Sequence, residues 1–154
     1  MTEGRYGDIA NLAWEDIPEP KLVPTGTWKL EGRNAVYLPK KEGDAESKAK
    51  VLFFYNAYEA MGDVRDEDLD ALGDYNLENS DLSAMFYIER ETDWDKVKKH
   101  LALHGVEPKG SIPETLKKFK HTKVLGFVDQ QTYKSRQTGK MVTGNTLSEF
   151  AALD

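Results

Sequence analysis

The chain has 154 residues, 39% of them hydrophobic and 31% charged, with a net charge of −6 and no cysteine. That length and balance describe one domain able to bury its own core, and they exclude wholesale disorder. The missing thiols exclude disulfides, thiolate catalysis and cysteine-based zinc sites. The longest unbroken apolar run, residues 51–55, is too short to span a membrane or to form a signal peptide, so the expected setting is cytoplasmic.

Residues 1–22, with Pro18 and Pro20, are expected to form an arm. Regular structure should begin at Thr25, where TGTWKL alternates and places Trp28 and Leu30 on one face, as in a half-buried strand. The piece AVYL follows Gly32 and Arg33 and stops at Pro39. The two pieces are read as one strand bent at Gly32 or as a tight hairpin. A polar loop over 39–49 leads to residues 50–58, KVLFFYNAY, the strongest strand pattern in the chain. Residues 59–82 form an acidic insert with a short helix at Asp66–Leu72, ended by Gly73. Residues 84–89 are a further strand.

A helix should start at Thr92, which has capping-box spacing to Asp95, and bury Trp94, Val97 and Leu101 before stopping at Gly105. Ser111 with Glu114 and an early Pro113 opens a second helix that buries Leu116 and Phe119. Two strand-like runs, 123–133 and 141–147, then flank a loop carrying Lys134, Arg136 and Lys140 around Gly139, a hairpin pattern. Residues 151–154 are a tail.

Charge is unevenly placed: residues 59–95 carry −11 and residues 96–140 carry +8. Either segment is a solvated face or a partner surface. Five strands with helices between the third and fourth follow the order of an OB-fold, a small Greek-key barrel. The expected class is therefore mainly β with α, with the domain over 23–150. An OB-fold holds oligonucleotides with the loops after its first and fourth strands, and both carry cations here: Lys40, Lys41, Lys48 and Lys50 in one, Lys134, Arg136 and Lys140 in the other. Single-strand binding also needs flat side chains for bases to stack on. Asn56 marks the outward side of its strand, which makes Phe54 and Tyr58 candidates. On the next strand Phe86 and Ile88 read as core and Tyr87 as outward.

Other constellations carry less. His100 and His104 stand one helical turn apart but lack the glutamate of a zinc-protease helix, and they read as a surface or satisfied core pair. The acidic run lacks the glycine and the closing glutamate of a calcium loop. Glu19–Pro20–Lys21 and Glu107–Pro108–Lys109 have the spacing of some metal nucleases, with a proline where a strand is needed. Thr138–Gly139–Lys140 is not a phosphate loop, and the two helices are too far apart for a helix-turn-helix. No catalytic residue, metal or cofactor is expected.

The GTW opening, the KVLFFYNAY strand, the helical HLALHG segment and the closing strand leading into TGKMVTGNTLSEF are similar to phage-encoded OB-fold proteins of the single-stranded-DNA-binding type, over about residues 23–150. The resemblance implies a non-enzymatic protein that coats or handles single strands in phage DNA replication or recombination, in the cytoplasm of an infected bacterium. Its partners would be single-stranded DNA and replication or recombination proteins, with no membrane. The acidic stretch 59–95 departs from that pattern. It motivates a second expectation, an interaction or inhibitor protein whose acidic face meets a basic partner.

Overall fold

The computed structural model describes residues 21–80 and 82–153, so the expected arm lies outside the described residues apart from Lys21 and Leu22. Five antiparallel strands form one sheet: β1 (Gly26–Leu38), β2 (Ala49–Ala60), β3 (Leu82–Ile88), β4 (Lys123–Lys134) and β5 (Met141–Ala152), in the order β3-β2-β1-β4-β5. Three short helices accompany them: α1 (Asp66–Leu72), α2 (Trp94–Leu103) and α3 (Ile112–Lys117). None of the described helices is long and apolar enough to cross a membrane.

β1 is one strand and not a hairpin. Trp28 and Leu30 are buried as their alternation requires, at 2% and 0% exposure. The ladder with β2 slips between Gly32 and Asn34, so the inward residues change from even to odd numbers there. The bulge falls at Gly32 because only a residue without a side chain leaves room for Phe119. A Cβ at Gly32 would sit 2.6 Å from the Phe119 carbonyl oxygen and 2.8 Å from its ring. Gly32 N–H donates to the Thr122 oxygen at 2.7 Å, and His121 N–H donates to the Gly32 oxygen at 2.8 Å. The bend thus seats the turn that follows α3. Beyond it, β1 stays with β2 but leaves β4, which pairs with β1 only from Gly26 to Glu31.

A second bulge acts at the other end of the sheet. The register between β4 and β5 slips near Gly126, and Glu149 adopts a left-handed φ of 51°. Without that extra residue Phe150 would point outward, as Ser148 does. With it, the Phe150 ring lies 4.7 Å from His100 and 5.6 Å from Tyr55.

The expected Greek-key barrel is not closed. β3 and β5 approach one another but share no ladder among the described residues. Side chains fill the seam instead: His100 of α2 stands 4.9 Å from Phe86 on β3 and 4.7 Å from Phe150 on β5. Ring contacts through His100, and not N–H···O bonds, therefore link these two edges.

Two local expectations change. The start of α2 is organised by Asp93 and not by Thr92. The Asp93 carboxylate accepts N–H bonds from Glu89 at 2.8 Å and Arg90 at 3.0 Å, which hold it below the usual carboxylate range. Ser111 does cap α3, accepting from Glu114 N–H at 3.3 Å. The acidic insert is also more than a solvated excursion. Asp63 accepts both the Thr27 N–H and hydroxyl at 2.8 Å, and Val64 is a core residue at 4% exposure, lying over Gly26. Leu69, Leu72 and Leu77 pack against the same core.

Gly32→Ala is expected to destabilise the fold by about 2–3 kcal/mol through overpacking against backbone, read as a lower urea midpoint at unchanged slope. Val64→Ala is expected to cost about 2 kcal/mol by the same measurement. An unchanged midpoint would mean that the insert is detachable.

Candidate nucleic-acid interface

The side of β2 turned away from the core forms the first part of the site. Alternation buries Val51, Phe53, Tyr55 and Ala57 and sends Leu52, Phe54 and Asn56 outward. A register slip that sets Lys29 against Glu59 and Leu30 against Ala57 leaves Tyr58 as the extra residue. Across the neighbouring ladder Lys50 faces Tyr87, Leu52 faces Met85 and Phe54 faces Ser83. Tyr87, Met85 and Tyr58 are exposed at 51%, 43% and 43%, and Phe54 is half-buried. An apolar stripe therefore crosses both strands with aromatic rings along it. One face of each exposed tyrosine carries a lysine, Lys48 over Tyr87 and Lys123 over Tyr58, each 5.5 Å from the ring centroid. Between Phe54 and Tyr58, Asn56 Oδ1 is shielded from solvent without a hydrogen-bond partner among the described residues.

Two loops build the second part. Residues 39–48 return from β1 to β2, and residues 135–140 join β4 to β5. The latter closes because Gly139 takes a left-handed φ of 71°, letting its N–H reach the Ser135 oxygen at 2.9 Å while Ser135 N–H donates to Lys140 at 2.8 Å. Lys41 and Lys48 from the first loop, Lys50 at the start of β2 and Arg136 from the second loop line a single open basin of about 710 Å³, with Tyr87 in its wall. Asp44 and Glu46 line it too.

The cations in and around the basin are not equivalent. Lys48 pairs with Glu89 at 2.7 Å, and that hydrogen bond raises its affinity for its proton while neutralising its charge. Lys41, Lys50 and Arg136 make no ion pair among the described residues. Lys40, Lys134 and Lys140 are exposed on or beside the same loops but do not line the basin. Phe54 and Tyr58 stand on the stripe, away from it. Met85 belongs to the stripe and was not among the expected residues, although period-two spacing puts position 85 on the same face as Tyr87.

The histidine pair lies on the opposite, core side of β2. His104 Nδ1 is 2.7 Å from the His100 carbonyl oxygen, which can only accept, so Nδ1 holds the proton and Nε2 is an acceptor. The Tyr55 hydroxyl donates to His104 Nε2 at 2.8 Å and accepts from His100 Nε2–H at 2.6 Å. All three hydrogen bonds of this relay form with both rings neutral. Burial pushes His100 down to about 3, helped by the adjacent His104, lowers His104 as well, and raises Tyr55. Both Nε2 atoms are committed to the hydroxyl, and among the described residues no group of three His, Cys, Asp or Glu is placed to hold a metal. The relay is a core element.

No protein-family model and no curated protein matches the sequence.

The relay is expected to make the protein acid-sensitive. A histidine whose folded pKa lies below its unfolded value of 6.5 binds its proton more readily in the unfolded chain. Its contribution is therefore complete above pH 6.5 and is lost as pH falls toward 3. His100 should remove about 1.4 kcal/mol per pH unit in that window, and the lowered His104 adds a loss of the same sign. Urea midpoints should decline between pH 6.5 and 5, and the decline should be shallower in His100→Gln.

Proposed function

We propose that the chain is an OB-fold protein that binds single-stranded DNA along the outer face of β2 and β3 and across the basin between its two loops, without catalysing a reaction. The strand order β3-β2-β1-β4-β5, with β1 shared between β2 and β4 and helices after the third strand, supports the fold reading. OB-folds bind oligonucleotides on the face of strands two and three and with the loops after strands one and four. The observation that carries the functional reading is the convergence of Lys41, Lys50 and Arg136 on one basin beside Tyr87.

The roles divide by chemistry. Lys41, Lys50 and Arg136 neutralise phosphates, and Lys40, Lys134 and Lys140 extend the field along the loops. Tyr87, Phe54 and Tyr58 offer ring faces to bases, each stacked base contributing about 1–3 kcal/mol. Action in phage DNA replication or recombination rests on the resemblance of the sequence alone. A separate observation favours a second reading for another face: α1 buries no residue and exposes Asp66, Glu67 and Asp70, which suits a basic protein partner.

Binding of a labelled oligonucleotide should be steep in salt. The slope of log affinity against log salt is about −0.7 per neutralised phosphate, so about four contacts give roughly a sevenfold loss for each doubling of salt. The Lys41/Lys50/Arg136 triple change to Ala should weaken binding by about tenfold or more and flatten that slope. Tyr87→Ala should weaken binding at every salt concentration and leave the slope unchanged, because stacking releases few counterions. A folded triple variant with unaltered affinity would remove the basin from the site.

A further inference from the structure

The sheet ends in two edges of unequal kind. That of β3 is seven residues long, whereas β5 runs for twelve. β5 lies against β3 and, through the Phe150 ring 4.7 Å from His100, against α2. Its first half, residues 141–146, has no hydrogen-bonded strand on the outer edge among the described residues.

The pairing with β4 shows which groups point outward. Ser135 N–H bonds the Lys140 oxygen, and the register sets Val142 against Tyr133 and Gly144 against Gln131. Antiparallel alternation then gives residues 140, 142 and 144 to β4 and leaves the N–H and C=O of Met141, Thr143 and Asn145 aimed at the open edge. Asn145 spends only its side chain inside the molecule, accepting from Val23 N–H and donating to the Val23 oxygen, both at 2.9 Å. Edge strands in soluble proteins are protected by charge, proline or a covering element. From 141 to 148 the sequence contains no charged residue and no proline. The hairpin instead exposes Met141 at 64%, Tyr133 at 54% and Val142 at 36%.

We infer that this edge is an interface for a second copy of the same chain, with the first half of β5 pairing antiparallel to its counterpart about a dyad at Thr143. Only outward-bonding residues can face each other in hydrogen-bonded pairs, so Thr143 meets Thr143 and Met141 meets Asn145, giving about six bonds between the chains. In that register Val142 of one copy stands beside Gly144 of the other. The Tyr133 ring already covers Gly144, 3.4 Å from where a Cβ would be. The two Val142–Tyr133 pairs therefore merge into one apolar patch across the dyad. The two Lys140 residues end about 20 Å apart, six residues at roughly 3.4 Å each, so like charges do not meet. The interface is self-complementary and closes at two copies.

Sedimentation of the full chain across about 1–100 µM tests this, since a dimer of this kind is concentration-dependent. A dimer is expected. Thr143→Pro removes an edge N–H that β4 does not use, and it should give a monomer with an unchanged far-UV spectrum. Val142→Lys keeps every backbone group but sets two lysines diagonally across the dyad, and should raise the dissociation constant by about tenfold or more. A wild-type chain that stays monomeric throughout, whether because residues 1–20 cover the edge or because nothing does, would overturn the inference. So would two folded variants that dimerise as tightly as wild type.

Discussion

Most of this molecule depends on β1 serving two neighbours. The strand pairs with β2 from Trp28 to Leu38 but with β4 only as far as Glu31. A flat strand could not do this without exposing an unpaired edge beside β4. The bulge at Gly32 resolves it by bending β1, and the turn after α3 occupies the vacated side through the paired bonds of Gly32 with His121 and Thr122. The bend curls the sheet around Phe53, Tyr55 and Phe119, all fully buried. Phe119 packs against Gly32 at one end and against the Phe53 and Tyr55 rings, at 4.9 and 5.2 Å, at the other. One missing side chain thus links the curvature of the sheet to the aromatic core.

The same curvature explains how loops distant in sequence come together. Residues 39–48 lie beyond the end of β1 that has left β4, while residues 135–140 lie beyond the end of β4 that has left β1. On a flat sheet those two ends point away from each other. Curling brings Arg136 to the basin that Lys41 and Lys50 line. The proposed interface is therefore a property of the whole sheet's shape, which the core beneath it maintains. There the Tyr55 hydroxyl, held between two neutral histidines, ties α2 to β2 by directional bonds as well as by packing.

What could be read in the sequence follows from the range of the interactions involved. Alternation is local, so the inward Trp28 and Leu30, the inward Phe53 and Tyr55 and the outward Phe54 and Tyr87 were all legible, as were the helix Asp66–Leu72 and the Ser111 cap. The anchoring of the acidic segment was not, because Val64 is an isolated apolar residue in a charged run and its partner Gly26 is far away in the chain. The open seam between β3 and β5 was hidden for a similar reason. Strand order says which edges could meet, but His100 standing between Phe86 and Phe150 decides that rings and not hydrogen bonds join them. Asp93 displaced Thr92 as the organiser of α2 because its carboxylate accepts two N–H bonds upstream, a loop geometry that spacing alone does not encode.

The charge distribution takes on a different meaning once it is folded. Residues 59–95 carry −11, yet within them Asp63 and Asp93 are tied to backbone N–H groups and Glu89 is spent on Lys48. Part of the acidic excess is thus structural. What remains exposed is concentrated on α1, while Lys41, Lys50 and Arg136 at the basin have no ion pair among the described residues. At physiological ionic strength fields decay over about 8 Å, so two such faces act independently on a molecule of this size. A net charge of −6 is therefore no obstacle to binding an anion. A polyanion bound as proposed would meet the local field of Lys41, Lys50 and Arg136, and the remote acids would restrict how it could lie across the surface.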